Sequence, residues 1–182
     1  MNLSIKQKLL LISIVPVLIL GGVMTFFSIF QVNQQAEERL SSSREVMIND
    51  REKEVKALLE MAVSLVQPIY ENGGSIEEAA SLLRQFQFGE SGYIFGYTDE
   101  GVRVFNGQSP DRIGESFWDL QDSNGVYLIR ELVEAGKKNG LATGNHYVTY
   151  HFPKPGEREP HPKLSYSAYF PDWQLMIGTG FY

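Results

Sequence analysis

Three regimes of hydrophobic patterning follow one another along the chain. From Leu9 to Phe30 (LLLISIVPVLILGGVMTFFSIF) no residue carries a charge. As a helix rising about 1.5 Å per residue, this run covers roughly 33 Å, enough for a hydrocarbon core of about 30 Å. Pro16 and the Gly21-Gly22 pair are tolerated in membrane helices. A cleaved signal peptide would show a shorter apolar region and a small-residue cleavage site, whereas this run ends in FFSIFQVNQQ. Residues 9–30 therefore read as an uncleaved transmembrane helix behind a short tail, residues 1–8.

A helical regime follows. Between residue 31 and about 70 there is no Gly, and no Pro before Pro68. Val55, Leu58, Leu59, Ala62, Leu65, Val66 and Ile69 fall at the 3-4-3 spacing of one helical face. Upstream the stripe thins to Val32, Ala36, Leu40, Ser43 and Met47. The pattern predicts a long membrane-proximal helix over 31–74, ended by Asn72-Gly73-Gly74 and packed on a domain at its far end. Its proximal part suits a homodimer through this stalk helix. A solvated helix with one docked face fits the residues as well, since Ser41-Ser42-Ser43 interrupts the heptads.

From residue 75 the period changes. Ser75-Ile76-Glu77-Glu78 is a capping box opening a short amphipathic helix to about Phe86. Gly92–Tyr97 is a β-aromatic run, turned by Asp99-Glu100-Gly101 into Val102–Phe105. Residues 106–125 are loop-rich, and Tyr127–Lys138 reads as a helix stopped by Asn139-Gly140. Three further strands are expected at about 144–152, 163–170 and 173–181. Two strands, a helix and a three-strand meander give an α+β core over 75–182. Its antiparallel sheet should have about five strands, with helices against one face.

Charge fixes the orientation and removes some partners. Lys6 and Lys8 are the charged residues ahead of the span, and Glu37, Glu38 and Arg39 follow it, which places the N-terminus in the cytoplasm. The segment beyond Phe30 carries all 22 acidic and 14 of the 16 basic residues, a net −8. Such an acidic surface argues against nucleic acid. The absence of cysteine excludes a disulfide framework, a thiolate nucleophile and thiolate-held metals.

Enzyme signatures are missing: the chain holds no G-x-S-x-G, P-loop, G-x-G-x-x-G or H-E-x-x-H. His146 and His151, five apart in one strand, point to opposite faces, and His161 lies in a Pro-rich loop, so no metal site is expected. Asp99-Glu100 and Asp119/Asp122 sit in turns, where Asp bonds its own backbone. What remains is an aromatic sheet: Tyr93, Phe95 and Tyr97 share one strand face, with Tyr147, Tyr150, Tyr166 and Tyr169 on later strands. Most of these suit a core with its hydroxyls at the surface. Together with Trp118 and Lys163 they also suit a small pocket, whose walls grip a ligand body while hydroxyls and one cation fix its acidic head.

The stretch GYIFGY, the loop IGESFWDLQDSNG, the helix LIRELVEAGKK and then YVTYHFPKPG…PHPKLSY…WQLMIGTGFY resemble the single Cache domain of type 2. This is the periplasmic sensor region of bacterial methyl-accepting chemotaxis proteins. The resemblance implies a PAS-like fold, a long N-terminal helix along an antiparallel sheet, and a concave face that holds small organic acids such as acetate, propionate, pyruvate or lactate. The ligand-binding residues it implies are Tyr93, Phe95, Tyr97, Phe105, Trp118, Asp122, Tyr150, Lys163 and Tyr166. Where the family often has a His-Pro pair, this chain reads Val104-Phe105-Asn106-Gly107, which implies an altered specificity. The resemblance further implies an inner-membrane receptor with residues 31–182 outside. After residue 182 it implies a second membrane helix, a HAMP linker and a cytoplasmic signalling domain. No cofactor or catalytic residue is expected. The same module could serve a sensor histidine kinase or a cyclic-nucleotide enzyme, or the chain could be a membrane-tethered structural protein without a ligand.

Overall fold

The computed structural model describes residues 5–182 apart from 90, 91 and 108; side chains at 5, 7–18, 33, 36–38 and 41 are also left aside. The backbone is helical throughout α1 (Ile5–Glu71). The chain divides into two units, residues 1–48 and 49–182. In the first, Ile19, Leu20, Val23, Met24, Phe26, Phe27, Ile29 and Phe30 all expose their apolar side chains. Among the described residues no helix is long and apolar enough to cross a membrane. The expected tail and the side chains of the first half of the expected span lie largely outside the described residues.

The second unit holds the rest of the fold. Val55, Leu59, Ala62, Val63 and Val66 form the buried stripe of α1, with Val63 taking the place that the sequence pattern gave to the exposed Leu65. Pro68 lies inside the helix. Asn72 Nδ2 donates to its carbonyl at 2.7 Å, and Gly73 turns the chain at φ +70. At α2 (Ile76–Leu83) the Glu78 N–H donates to the Ser75 hydroxyl at 3.2 Å, the expected N-terminal cap.

A two-stranded piece, β1 (Gln87–Phe88) with β2 (Gly92–Tyr93), precedes β3 (Phe95–Thr98) and β4 (Arg103–Asn106). After α3 (Leu128–Asn139) come β5 (Tyr147–Pro153), β6 (Pro160–Phe170) and β7 (Leu175–Phe181). The main sheet is antiparallel with five strands in the order β4-β3-β7-β6-β5. The meander β5-β6-β7 therefore returns its last strand to the middle, beside β3, with Phe95 opposite Gly178 and Tyr97 opposite Met176. The strand expected over 92–97 is interrupted at Ile94, so its two parts join different sheets.

Helices cover both faces of the sheet, which corrects the expectation of one. On the first face Val55, Leu59, Ala62, Val63 and Val66 of α1 and Ala79, Ala80 and Leu83 of α2 pack with Phe105, Tyr166, Phe170, Leu175 and Ile177. On the second face α3 places Leu128, Ile129, Leu132 and Val133 against Phe95, Tyr97, Tyr150 and Met176. Leu175, Met176 and Ile177 alternate between these cores, as a central strand requires. Gly136 lets α3 lie close to β6, since a Cβ there would stand 3.2 Å from the Ala168 carbonyl oxygen. Asn139 ties the end of α3 to the sheet: Nδ2 donates to His146 and Ser167 carbonyls at 2.8 and 2.9 Å, and Oδ1 accepts from the His146 N–H at 2.8 Å.

The Leu59 side chain has no exposed surface and anchors α1 on the sheet. Leu59→Ala should cost about 3 kcal/mol. Thermal unfolding should show a midpoint lowered by roughly 6–12 °C; an unchanged midpoint would mean that α1 does not unfold together with the sheet.

Candidate ligand site around a buried lysine

The β5–β6 register sets Tyr150 beside Lys163, on the face that α3 covers. Tyr93, Phe95 and Tyr97 line the same cavity, as does Asn106 of β4. Lys163 is only 2% exposed. Its ammonium donates to the Tyr93 hydroxyl at 3.1 Å, and Nζ stands 4.6 to 5.7 Å from the ring centroids of Tyr93, Tyr182, Phe95 and Phe152. Among the described residues no carboxylate lies within ion-pair distance of it. Burial alone pulls the Lys163 pKa down to about 7, because the charged form loses its hydration and gains no counter-charge. The rings return part of that loss through cation–π attraction.

The neighbouring hydroxyls stay protonated at neutral pH. Burial, then the nearby Tyr97, pushes Tyr93 up to about 12. Burial also raises Tyr150, whose Oη bonds Ser165 Oγ at 3.0 Å, and Tyr182, whose hydroxyl donates to the Pro153 carbonyl at 2.7 Å. Leu128, Ile129 and Leu132 close the cavity from α3. The space left is about 10 Å³, room for about one water. A wider open cleft of about 620 Å³ adjoins it, sharing Tyr93, Asn106 and Phe152, and extends between the β1–β2 piece and the loop Pro153–Gly156.

Tyr93, Phe95, Tyr97, Tyr150 and Lys163 thus converge on one cavity. The other expected residues are elsewhere. Phe105 and Tyr166 point to the α1 face: the Phe105 ring lies beneath Gly96, and Tyr166 stacks on Tyr147 at 5.0 Å while donating to the Gly144 carbonyl. Trp118 packs against Gly101, its carbonyl bound by Arg130 Nε at 2.8 Å, and Arg130 also pairs with Asp119. Asp122 accepts from the Asn124, Val126 and His151 N–H groups at 2.8–2.9 Å. Burial would raise its carboxyl, but these bonds outweigh burial and hold it below the ordinary carboxylate range. Phe152, Tyr182 and the α3 leucines are wall residues that strand alternation alone did not pick out. Phe152 lies two residues from Tyr150, a period-2 signal that was available.

The Single Cache domain 2 family model matches residues 47–182. The chain belongs to that family. It is 40% identical over 185 residues to the methyl-accepting chemotaxis protein CtpM of Pseudomonas aeruginosa, covering 98% of this chain and 32% of CtpM. Over 185 residues it is 29% identical to the sensor histidine kinase MctS of Rhizobium johnstonii, covering 99% of this chain and 39% of MctS. A methyl-accepting chemotaxis protein from Vibrio parahaemolyticus has the same fold, with a TM-score of 0.71 and 32% identity over 79% of this chain and 96% of that one. The chain thus spans about a third of the length of the two full-length relatives. The Cache core begins near the point where the second compact unit starts.

Because the lowered pKa means that the folded state releases the Lys163 proton near pH 7, while an unfolded lysine keeps it to about 10.4, the unfolded state binds more protons between these values. The contribution of Lys163 to stability should therefore rise with pH across that window, by at most about 1.4 kcal/mol per pH unit. Urea unfolding of the wild type and of Lys163→Met at pH 6.5, 8 and 9.5 reads this directly. The methionine variant should be the more stable at pH 6.5, with its advantage shrinking as pH rises; a pH-independent difference would show that Lys163 is not desolvated.

Proposed function

We propose that this Cache domain is the extracytoplasmic input of a transmembrane chemoreceptor and that it binds a short-chain organic acid at Lys163. The single observation that carries the reading is a buried ammonium, ringed by aromatic side chains, without a carboxylate partner among the described residues. Removing a charge from water costs several kcal/mol unless an opposite charge meets it. A ligand carboxylate supplies that charge, and Tyr93 and Tyr150 supply hydroxyls on either side. The confined apolar walls limit the ligand body to a few carbons, the acetate, propionate, pyruvate and lactate class.

The cavity has room for about one water, so an acid would have to widen it, entering by the cleft that shares Tyr93 and Phe152. A ligand that favours the widened form shifts the population toward it. The expected membrane helix completes the reading. Residues 19–30 expose apolar side chains over roughly 18 Å of helix, and the uncharged run back to Leu9 supplies the remaining length. Lys6 and Lys8 keep the N-terminus in the cytoplasm. Exposed Leu40, Met47 and Met61, spaced by multiples of seven, suit pairing with a second copy. The likeness to MctS favours one other output for the same input, a histidine kinase.

Acetate and propionate should raise the melting temperature of the full chain in detergent, since ligand at about 100 times its Kd adds about 2.7 kcal/mol. Lys163→Met should abolish the shift, and an unaltered shift would remove Lys163 from the site. Affinity should also fall about fivefold between pH 7 and pH 8, because only the ammonium pairs with the acid and its pKa is about 7. An affinity constant over that interval would contradict an ion-paired ligand.

A further inference from the structure

A second cation on the same face of the sheet has no acidic partner either. Tyr97 and Arg103 are register partners, and the pairing of β3 with β4 shifts between Gly96 and Tyr97. This irregularity sends Arg103 and Phe105, two residues apart, to opposite faces. Arg103 is 7% exposed. Its Nε donates to the Tyr97 hydroxyl and its Nη1 to the Asp111 carbonyl, both at 3.1 Å, and its guanidinium carbon lies 3.9 Å from the centroid of the Phe117 ring. Among the described residues Nη2 has no partner and no carboxylate pairs with this guanidinium.

Arg103 borders a cavity of about 310 Å³, the size of a small-molecule site. Phe117, Leu120, Leu128, Phe152 and Pro160 give it apolar walls, and Lys163 does not reach it. Three other ionisable groups face it. Arg112 is paired with Glu115 at 2.8 Å, Asp122 is engaged by three backbone N–H groups, and His151 Nδ1 lies 3.0 Å from Asn124 Nδ2. The acid in the cavity is therefore already satisfied, while Arg103 Nη2, which is not itself a buried atom, has no partner among the described residues. An arginine fork anchored through Nε and one Nη1 hydrogen still presents its Nη1/Nη2 end, a two-pronged match for a carboxylate.

We propose that this cavity is a second anion site, separate from that of Lys163, which takes a carboxylate carried on a flat apolar body against the free end of the Arg103 fork. Phe117 and Phe152 flank the body and Arg112 stands at the rim. The site shares the Phe152 and Leu128 walls with the Lys163 cavity, so occupancy of one alters the space in the other. Its existence does not depend on what Lys163 binds.

Benzoate and acetate serve as probes in calorimetric titrations of the full chain in detergent. Benzoate should bind the wild type, lose at least tenfold in affinity in Arg103→Gln, and keep its affinity within twofold in Lys163→Met. Ser123→Trp, at an exposed position on the rim, should block benzoate by filling the cavity while leaving far-ultraviolet circular dichroism and the melting temperature native. That variant carries the test if Arg103→Gln misfolds. Absence of benzoate binding to the wild type, full affinity in a folded Arg103→Gln or in Ser123→Trp, or loss of benzoate in Lys163→Met would each overturn the second site. Failure of acetate to bind would count against the reading of Lys163 alone.

Discussion

An ammonium buried without a counter-charge among the described residues sets the terms for the α3 face of the sheet. Lys163 sits at the centre of an aromatic enclosure and its sole hydrogen-bond partner among the described residues is the Tyr93 hydroxyl. Replacing such a group by an apolar one of similar size commonly stabilises a fold. Its retention fits the proposed role, in which the charge of a bound anion would complete the interaction. The cavity beside Lys163 leaves room for about one water.

The sheet makes this arrangement possible by separating two tasks. Strand alternation sends Phe105, Tyr166, Leu175 and Ile177 toward α1, where they form a dry core, and sends Phe95, Tyr97, Tyr150 and Lys163 toward α3. Burial energy is concentrated on the first side and polar groups on the second. The irregularity between Gly96 and Tyr97 refines the division, since without it Arg103 and Phe105 would share a face. One local slip in register therefore puts a guanidinium in reach of the α3 face and a ring under Gly96.

Much of this was legible in the sequence because periodicity carries it. The stripe Val55, Leu59, Ala62, Val66 located the face of α1, Ser75 with Glu78 located the start of α2, and GYIFGY placed Tyr93, Phe95 and Tyr97 together. Lys163 stood out as a lone cation after two prolines. What stayed hidden depends on long-range pairing. Tyr166, three residues from Lys163 on one strand, is sent to the other face by alternation alone, but that this other face is the α1 core and that Tyr150 joins Lys163 emerges only from the β5–β6–β7 register. Strict alternation would have placed Arg103 on the face of Phe105, and the bulge that separates the two has no strong sequence mark. That helices cover both faces was equally invisible, as the amphipathicity of α3 gives the face it buries but not the side of the sheet that receives it.

The strand that joins the α3 face to the α1 face is β7. Its last residues diverge: Tyr182 lies over the Lys163 ammonium and bonds the Pro153 carbonyl, while Phe181 packs under the Arg51 guanidinium of α1 at 5.5 Å. Under the proposed binding of an acid at Lys163, the Tyr182 ring, 5.0 Å from Nζ just beyond β7, is one of the groups that would have to move. A shift of Tyr182 would bear directly on Phe181 on the opposite face, because neighbouring residues share one backbone. A coupling of the proposed ligand to α1 would then require no transmission through the core. It would follow from placing the two contacts on neighbouring residues, and its size would be set by how differently the acid binds the closed and widened forms.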